Sequence, residues 1–338
     1  MLGLDTWQSV LFILIILLVA NYIGKIILNR ISTIDSGEMA EGFTSDTGNG
    51  TTMSSDATIS KYEWLSDNDL YDDFYASVYN KIFQNEKITQ AEAAICLQNW
   101  KKDTPNMDGM IIADICSGPG IAACYFAKQK VGSIVAIDRS PAMMRSSKNV
   151  TLPATTLTET QRQAIDWRLA DVMGPGTAAA AEFTHACILY FTIYGFRDID
   201  TLFRNLALWV KPGGDLAIEV VNKHKFVPIP DVANPWVAVS PQKYVKYRIT
   251  KSSATFDKFD YESEFVMEDP RAEFKETFRF KDGSVRRHKH VLWMPSINEI
   301  VQKAGRAGWT YTKYCDMDFI GFEYGYMLFF KRNMANGK

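Results

Sequence analysis

The chain is poor in the residue types that would give an easy functional label. Its 338 residues contain only four histidines and five cysteines. Cys96, Cys116, Cys124, Cys187 and Cys315 lie mostly in apolar contexts without metal-ligand spacing, so neither a disulfide framework nor a zinc site is expected and no metal is assigned. An excess of charge is also missing. Thirty-seven Lys and Arg face thirty-nine Asp and Glu, a formal net charge of −2, which argues against a broad polyanion-binding surface and makes nucleic acid a poor partner. Disorder is excluded for the bulk of the chain, because 47% hydrophobic residues over this length suffice to bury a substantial core.

One long hydrophobic run is present. Residues 7 to 24 carry no charge, with Trp7 and Tyr22 near the ends and Lys25 and Arg30 beyond. That length and those flanks predict a membrane-spanning anchor over residues 1–30, with the C-terminal part on the cytoplasmic side. Residues 31–60, rich in Ser, Thr, Gly and acids and free of Lys and Arg, read as a flexible linker. The remaining 61–338 form the main domain.

The chemistry begins at Ile111-Ile-Ala-Asp-Ile-Cys-Ser-Gly-Pro-Gly120, an apolar strand entering a glycine turn, with a helix expected over Ile121 to Lys130. Such a turn lets the backbone approach a ligand at a helix N-terminus. The Gly-Pro-Gly-Ile-Ala-Ala run also fits a dinucleotide pattern, so the loop alone is ambiguous. Three acids narrow it. Asp138 closes a second apolar strand, where a carboxylate accepts from ribose hydroxyls. Asp114, four residues before Gly118, suits a cationic amine and would repel a pyrophosphate. Asp171 follows a third strand, where a carboxylate suits an adenine amino group; its competing role is a helix N-cap.

The ordered set Asp-x-x-Ser-Gly-Pro-Gly, Ala-Ile-Asp-Arg-Ser-Pro-Ala-Met-Met, Ala-Asp-Val and Trp-Val-Lys-Pro-Gly-Gly resembles the class I S-adenosylmethionine-dependent methyltransferases over roughly residues 60 to 330. The resemblance implies a Rossmann-like α/β sheet of parallel strands with a C-terminal antiparallel hairpin and helices on both faces. It implies S-adenosylmethionine as cofactor, with Asp114, Cys116, Ser117, Gly118 and Gly120 around the methionine portion. Asp138 and Arg139 would serve the ribose. Met143 or Met144, with Asp171 and Val172, would serve the adenine, and Tyr190 would complete the cofactor set. Cys116 departs from the family, which has glycine there; the exchange is tolerable if the backbone at this position avoids positive φ.

Tyr71, Phe74, Tyr75, Val78, Tyr79, Ile82 and Phe83 recur at helical spacing. Tyr-Asp-Asp-Phe-Tyr resembles the cap segment that closes over the cofactor in small-molecule members of the family, so Tyr71 and Tyr75 are substrate-binding candidates; core packing alone is the competing reading. Thr89 to Trp100 should be a second helix. A fourth strand over Thr184 to Phe191 brings Tyr190, Thr192 and Tyr194 to the ligand edge. A fifth runs from Asp215 to Val221. Alternating runs between Asn222 and Met294, including Lys246 to Thr250, with a turn at Asp282-Gly283, predict an antiparallel β insert, by position a substrate lid. The helix Ser296 to Ala307 and a strand Gly325 to Phe330 would finish the fold.

The family's Asn/Asp-Pro-Pro-Tyr and Pro-Cys signatures of base methylation are absent. The expected activity is therefore methyl transfer to an amine or hydroxyl of a small molecule: a sugar, an amine, or a lipid or quinone head group. Tyr194 and His290 are the candidates for a general base. Two other classes stay open: an NAD(P)-dependent oxidoreductase using the dinucleotide-like turn, and a non-catalytic membrane adaptor on the same fold.

Overall fold

The computed structural model describes residues 64–66, 69–83, 86–230, 232 and 247–334. Five strands alternate with helices: β1 Ile111–Ile115, β2 Ser133–Asp138, β3 Ile165–Leu169, β4 Phe183–Ile188 and β5 Val210–Val221. With β10 Trp309–Asp316 and β11 Gly325–Arg332 they form a seven-stranded sheet of order β10-β11-β5-β4-β1-β2-β3. The first five pair in parallel and β11 lies antiparallel to both β5 and β10. This is the Rossmann-like sheet with a C-terminal antiparallel hairpin that the motifs imply.

Five buried residues in six on β2 show why these strands are apolar throughout: both sheet faces are covered. On one face lie the helices α2 Glu86–Trp100 and α3 Ile121–Lys128, whose Ile95, Cys96, Ala123 and Phe126 pack on Ile112 and Ile134. On the other, α5 Ile199–Trp209 and α6 Ile297–Arg306 bury Leu202, Phe203, Leu206 and Ile300 against Ile137, Ile188 and Ile218. Between β2 and β3 runs α4, Pro141–Ser146, and before the sheet stands α1, Asp73–Phe83. Local chemistry fixes the helix starts. Asp72 caps α1 by accepting from the Tyr75 N–H at 3.0 Å, Ser140 caps α4, and Ser296 with Glu299 forms a capping box on α6.

The insert is a second, four-stranded antiparallel sheet: β6 Lys251–Thr255, β7 Phe259–Glu268, β8 Arg271–Phe280 and β9 Val285–Trp293. The turn falls at Asp282-Gly283 as its sequence requires, with Gly283 at φ 87°. Alternation here separates two faces: on β8, Ala272, Phe274, Glu276 and Phe278 point inward together. That face packs on α1 through Tyr75, Val78 and Ile82.

Several boundaries differ from expectation. The fifth strand begins at Val210, because Val210 already pairs with Phe183 before the glycine turn. The helix at Ile121 ends at Lys128. Residues 247–250 form no strand; the Arg248 guanidinium donates to the carbonyls of Lys223 and Phe226 and holds this stretch against the insert's root.

The expectation of a single-pass membrane protein with a cytoplasmic domain is corrected. Among the described residues no helix is long and apolar enough to cross a membrane, and the segment that suggested one, with the linker after it, lies outside the described residues.

Candidate active site at the sheet's ligand edge

The carboxyl ends of β1, β2 and β4 meet where ligands bind in open α/β sheets. At the end of β1 the turn Cys116 to Gly120 folds back onto β2, with the Ser117 N–H donating to the Ile137 carbonyl at 2.9 Å. Gly118 has φ 53°, and a Cβ there would meet nothing within 4 Å, so the turn faces open space. Gly120 is different: at φ 77° it starts α3, and a Cβ would strike the Trp167 ring at 2.6 Å. Cys116 also lies at positive φ, 55°, so the condition under which its exchange for glycine would be free of strain is not met.

Asp114 is buried, and its Oδ2 has no hydrogen-bond partner; the buried Ser117 hydroxyl, three residues on in the turn, has none either. Burial first, and then the charge of Asp138, push the Asp114 carboxyl up to about 7. Asp138 spends its carboxylate on the fold: Oδ2 accepts from the Gly118 N–H and Oδ1 from the Ser140 N–H, each at 2.8 Å. Each oxygen keeps acceptor capacity for one more donor. Burial outweighs these bonds and raises this carboxyl as well.

Two further buried acids follow: Glu92 on α2 stands near Asp114, and Glu219 on β5 stands near Glu92. Burial raises both, and for Glu92 the neighbouring Glu219 adds to it. The Tyr190 backbone N–H acts on Glu92 against the burial. The Glu219 Oε1 finds no hydrogen bond among the described residues, while its Oε2 accepts from the Phe191 N–H. That anchor holds an unusual piece of backbone, since Tyr190 and Phe191 are both left-handed, at φ 49° and 59°. Consecutive non-glycine residues in this region mark a strained segment held by its surroundings. Sequence reasoning missed Glu92 and Glu219. The signal was a lone acid inside the apolar run Leu216-Ala-Ile-Glu-Val-Val.

The remaining candidates divide. Asp171 is exposed and its Oδ1 accepts from the Met173 N–H at 2.9 Å, a local turn contact and not the helix N-cap that was its competing role, since the 3-10 turn Pro175–Thr177 that follows is capped by Gly174. Val172 is buried beside it, and Arg139 is exposed. Met143 and Met144 are both buried, and Met143 packs with Tyr75 and Tyr261. Thr192 is half-buried in a 3-10 turn. Tyr194 belongs to the core: fully buried, it accepts from the Val221 N–H at 2.8 Å and burial raises its phenol, so its hydroxyl is not offered to a substrate. His185 is likewise internal, packed on Trp100 at 4.8 Å and pushed down to about 4 by burial.

Tyr71 joins the two sheets. Its carbonyl accepts from the Ser140 hydroxyl at 2.7 Å, next to Asp138, and its ring packs edge-on against His290 of the insert at 6.0 Å. His290 stands in a cluster around Glu276. The Oε2 of Glu276 accepts from the Tyr75 hydroxyl at 2.8 Å and from His290 Nε2 at 2.7 Å, with His288 Nδ1 at 3.4 Å. Its Oε1 accepts from the Tyr261 hydroxyl at 2.8 Å. Burial alone would raise this carboxyl, but the hydrogen bonds from His288 and His290 prevail and hold it at about 2. Glu276 also went unnoticed in the sequence, where Lys275-Glu276-Thr277 reads as a solvated alternation.

Comparison with known proteins gives a consistent picture. Residues 113–218 match the methyltransferase domain family. Among curated protein sequences none matches the chain. Solved structures do. An S-adenosylmethionine-dependent methyltransferase from Clostridium acetobutylicum superposes with TM-score 0.55 at 14% identity, covering 77% of this chain and 98% of that one. The CcbJ methyltransferase from Streptomyces caelestis gives 0.56 at 12%, covering 80% and 100%. The sugar N-methyltransferase KedS8 from a Streptoalloteichus species gives 0.51 at 17%, covering 86% and 100%. Strand order, glycine turn and family match thus agree that this chain has the class I methyltransferase fold, with residues 113–218 as its methyltransferase-domain segment.

Proposed function

We propose that the chain transfers a methyl group from S-adenosylmethionine to an amine or hydroxyl of a small molecule. The observation that carries this reading is the pair of orphaned buried polar atoms at the glycine turn, Asp114 Oδ2 and Ser117 Oγ, beside the open face of Gly118. An under-partnered buried carboxylate suits an ammonium, and the hydroxyl three residues on can serve the carboxylate of the same amino acid. The two-sided capacity left on Asp138 suits a ribose, with Val172 and the Asp171 rim next to it for adenine. Cys116 and Tyr190, both at positive φ, would shape the walls of this site and Arg139 its outer edge. A dinucleotide fits less well, since its pyrophosphate would lie against a buried acid, which disfavours the oxidoreductase.

When bound, this cofactor supplies a methyl group already activated by a sulfonium. What the chain contributes is position. In the domain at residues 61–338 the sheet edge would hold the cofactor, and strands β6 to β9 of the insert, with α1, would cover it, so that Tyr71 and Thr192 border the acceptor and exclude water, with Tyr75, buried and donating to Glu276, behind them. KedS8 and CcbJ are named as methyltransferases, the former of a sugar nitrogen, which supports a polar small-molecule acceptor.

The test is calorimetric titration of the full chain with S-adenosylhomocysteine and with NADH, followed by a labelled-methyl screen over small amines and hydroxyls. Micromolar binding of the first ligand and none of the second is expected. A folded protein that ignores S-adenosylhomocysteine sinks the reading, and binding of NADH in its place would promote the oxidoreductase.

A further inference from the structure

The geometry points to His290 as the proton acceptor for the methyl-accepting group, held in a single tautomer by Glu276; the inference rests on the function proposed above. It makes the acceptor a group that arrives with a proton to lose, a hydroxyl or an ammonium.

Glu276, His288 and His290 have donor types that can bind a metal, and their ligand atoms lie within 4.8 Å of one another. The hydrogen bonds assign them otherwise. Arg286 Nε donates to His288 Nε2 at 2.6 Å, and Arg286 is itself pinned, 2.9 Å from Asp72 and 4.8 Å over the Phe74 ring. A guanidinium has no lone pair to offer, so His288 Nε2 must be the bare nitrogen and Nδ1 carries the proton, facing Glu276. A metal on His288 Nδ1 would require the opposite tautomer, with two donors head to head at 2.6 Å. The separation of 2.7 Å between His290 Nε2 and Glu276 Oε2 is a hydrogen bond, shorter than the spacing of two ligands about 2.0–2.1 Å from one zinc ion at tetrahedral angles.

Tyr75 and Tyr261 are kept as phenols by burial and by the Glu276 charge, so each gives its one proton to that carboxylate. Glu276 therefore has no proton to donate, and it receives one from His290 Nε2. The consequence falls on the far side of the ring. His290 Nδ1 is left bare, and no described residue bonds it. His290 is also the member of the trio that is accessible: 12% of its side chain is exposed, against 0% for Glu276 and His288. Its ring is bordered by Tyr71, Tyr75 and Phe274, and Tyr71 is the residue seated on the Asp138 turn through Ser140.

An ammonium first gives its proton to His290 Nδ1 and so frees its lone pair, whereas a hydroxyl gives its proton up as it attacks. In either case the acceptor's lone pair forms the bond to the methyl carbon and the carbon–sulfur bond breaks with its electron pair left on sulfur. The acceptor's proton passes to His290 Nδ1, giving an imidazolium beside the ionised Glu276, and solvent later removes it. His290 touches the substrate; Glu276 is a positioning residue.

The first test needs no acceptor. In the full chain labelled with 15N-histidine, His290 should be neutral at high pH with its proton on Nε2, and Glu276→Gln should release that preference. Tight zinc binding with loss of both Nε2 and Nδ1 proton signals of the trio would overturn the assignment, as would a proton resident on Nδ1. The second test repeats the labelled-methyl screen with His290→Gln across pH. Hydroxyl transfer should fall by about 10²- to 10⁴-fold and lose its alkaline rise, while S-adenosylhomocysteine still binds. Transfer that survives with an unchanged pH profile refutes the proton acceptor, and loss of S-adenosylhomocysteine binding by the wild type refutes the underlying function instead.

Discussion

Two fully buried acids, one in each sheet, sit at opposite extremes. Asp114 at the edge of the parallel sheet is pushed up to about 7, whereas Glu276 in the insert is held at about 2. Depth is not the difference. Glu276 has two hydroxyls and two imidazoles around it, all of which can donate. Asp114 has the Cys187 thiol, at 3.8 Å from Oδ1, and the Ala123 backbone N–H to lower it, and burial with the charge of Asp138 outweighs both. A carboxylate that the fold has already supplied with donors orients its neighbours; one that the fold leaves short is built for a partner from outside.

The largest expected effect breaks the satisfied side. Glu276→Ala leaves Tyr75, Tyr261, His288 and His290 with donors facing a cavity, and breaking a buried ionic network from one side costs about 3–5 kcal/mol. Thermal or denaturant unfolding should show a destabilisation of that order, with the loss concentrated where α1 meets the insert. A change within experimental error would mean that the network is not formed in solution.

Asp114→Asn should do the reverse. It removes a charge that burial disfavours, so the apo protein should gain stability at pH 8. The rise to about 7 bounds that gain at roughly 4 kcal/mol. The pH dependence has a definite sign. Because the folded carboxyl holds its proton more tightly than the unfolded one, wild type loses stability relative to Asp114→Asn as pH rises from about 4 to about 7, and the gap is constant above. Taking the difference between the two proteins cancels His185, which burial lowers and which acts in the opposite direction over part of this range. The variant should also bind S-adenosylhomocysteine roughly 10- to 100-fold more weakly, the loss of one charge-assisted contact. Stability gained without affinity lost would separate Asp114 from the cofactor.

The same contrast explains what could be read from the chain. Asp114, Gly118, Gly120 and Asp138 were legible because each belongs to a short local pattern, a strand end or a turn, whose meaning does not depend on distant residues. The alternation of strand and helix and the antiparallel insert followed from local patterns for the same reason, whereas the sheet's C-terminal hairpin came from the resemblance. The Glu276 cluster was not legible as a unit. It is assembled by cross-strand register, Glu276 opposite His288 and Phe274 opposite His290, and by a tyrosine 201 residues away. His290 could be nominated but not given its partner. Tyr194 was nominated on position alone, and the structure turns it inward to Val221 because the chain bends sharply after β4 at Tyr190 and Phe191. Phe274, Glu276 and Phe278 alternating on β8 were the available clue that this face is internal.

The smallest effect concerns the under-supplied side. Cys116 adopts φ 55° at the head of the glycine turn, where a side chain costs roughly 1–2 kcal/mol relative to glycine. Cys116→Gly should relieve that strain and add entropy to the unfolded chain, two terms that oppose each other and leave a net change of about 1 kcal/mol or less. Its informative readout is the cofactor. If the Cys116 backbone is held in this conformation by packing alone, Gly keeps it and S-adenosylhomocysteine affinity is unchanged; if the side chain's bulk keeps the turn open, the freer glycine turn must be ordered on binding and affinity falls. The described contacts favour the first outcome, because the turn is already tied to β2 through Ser117 and to Asp138 through Gly118, two bonds that do not involve the Cys116 side chain.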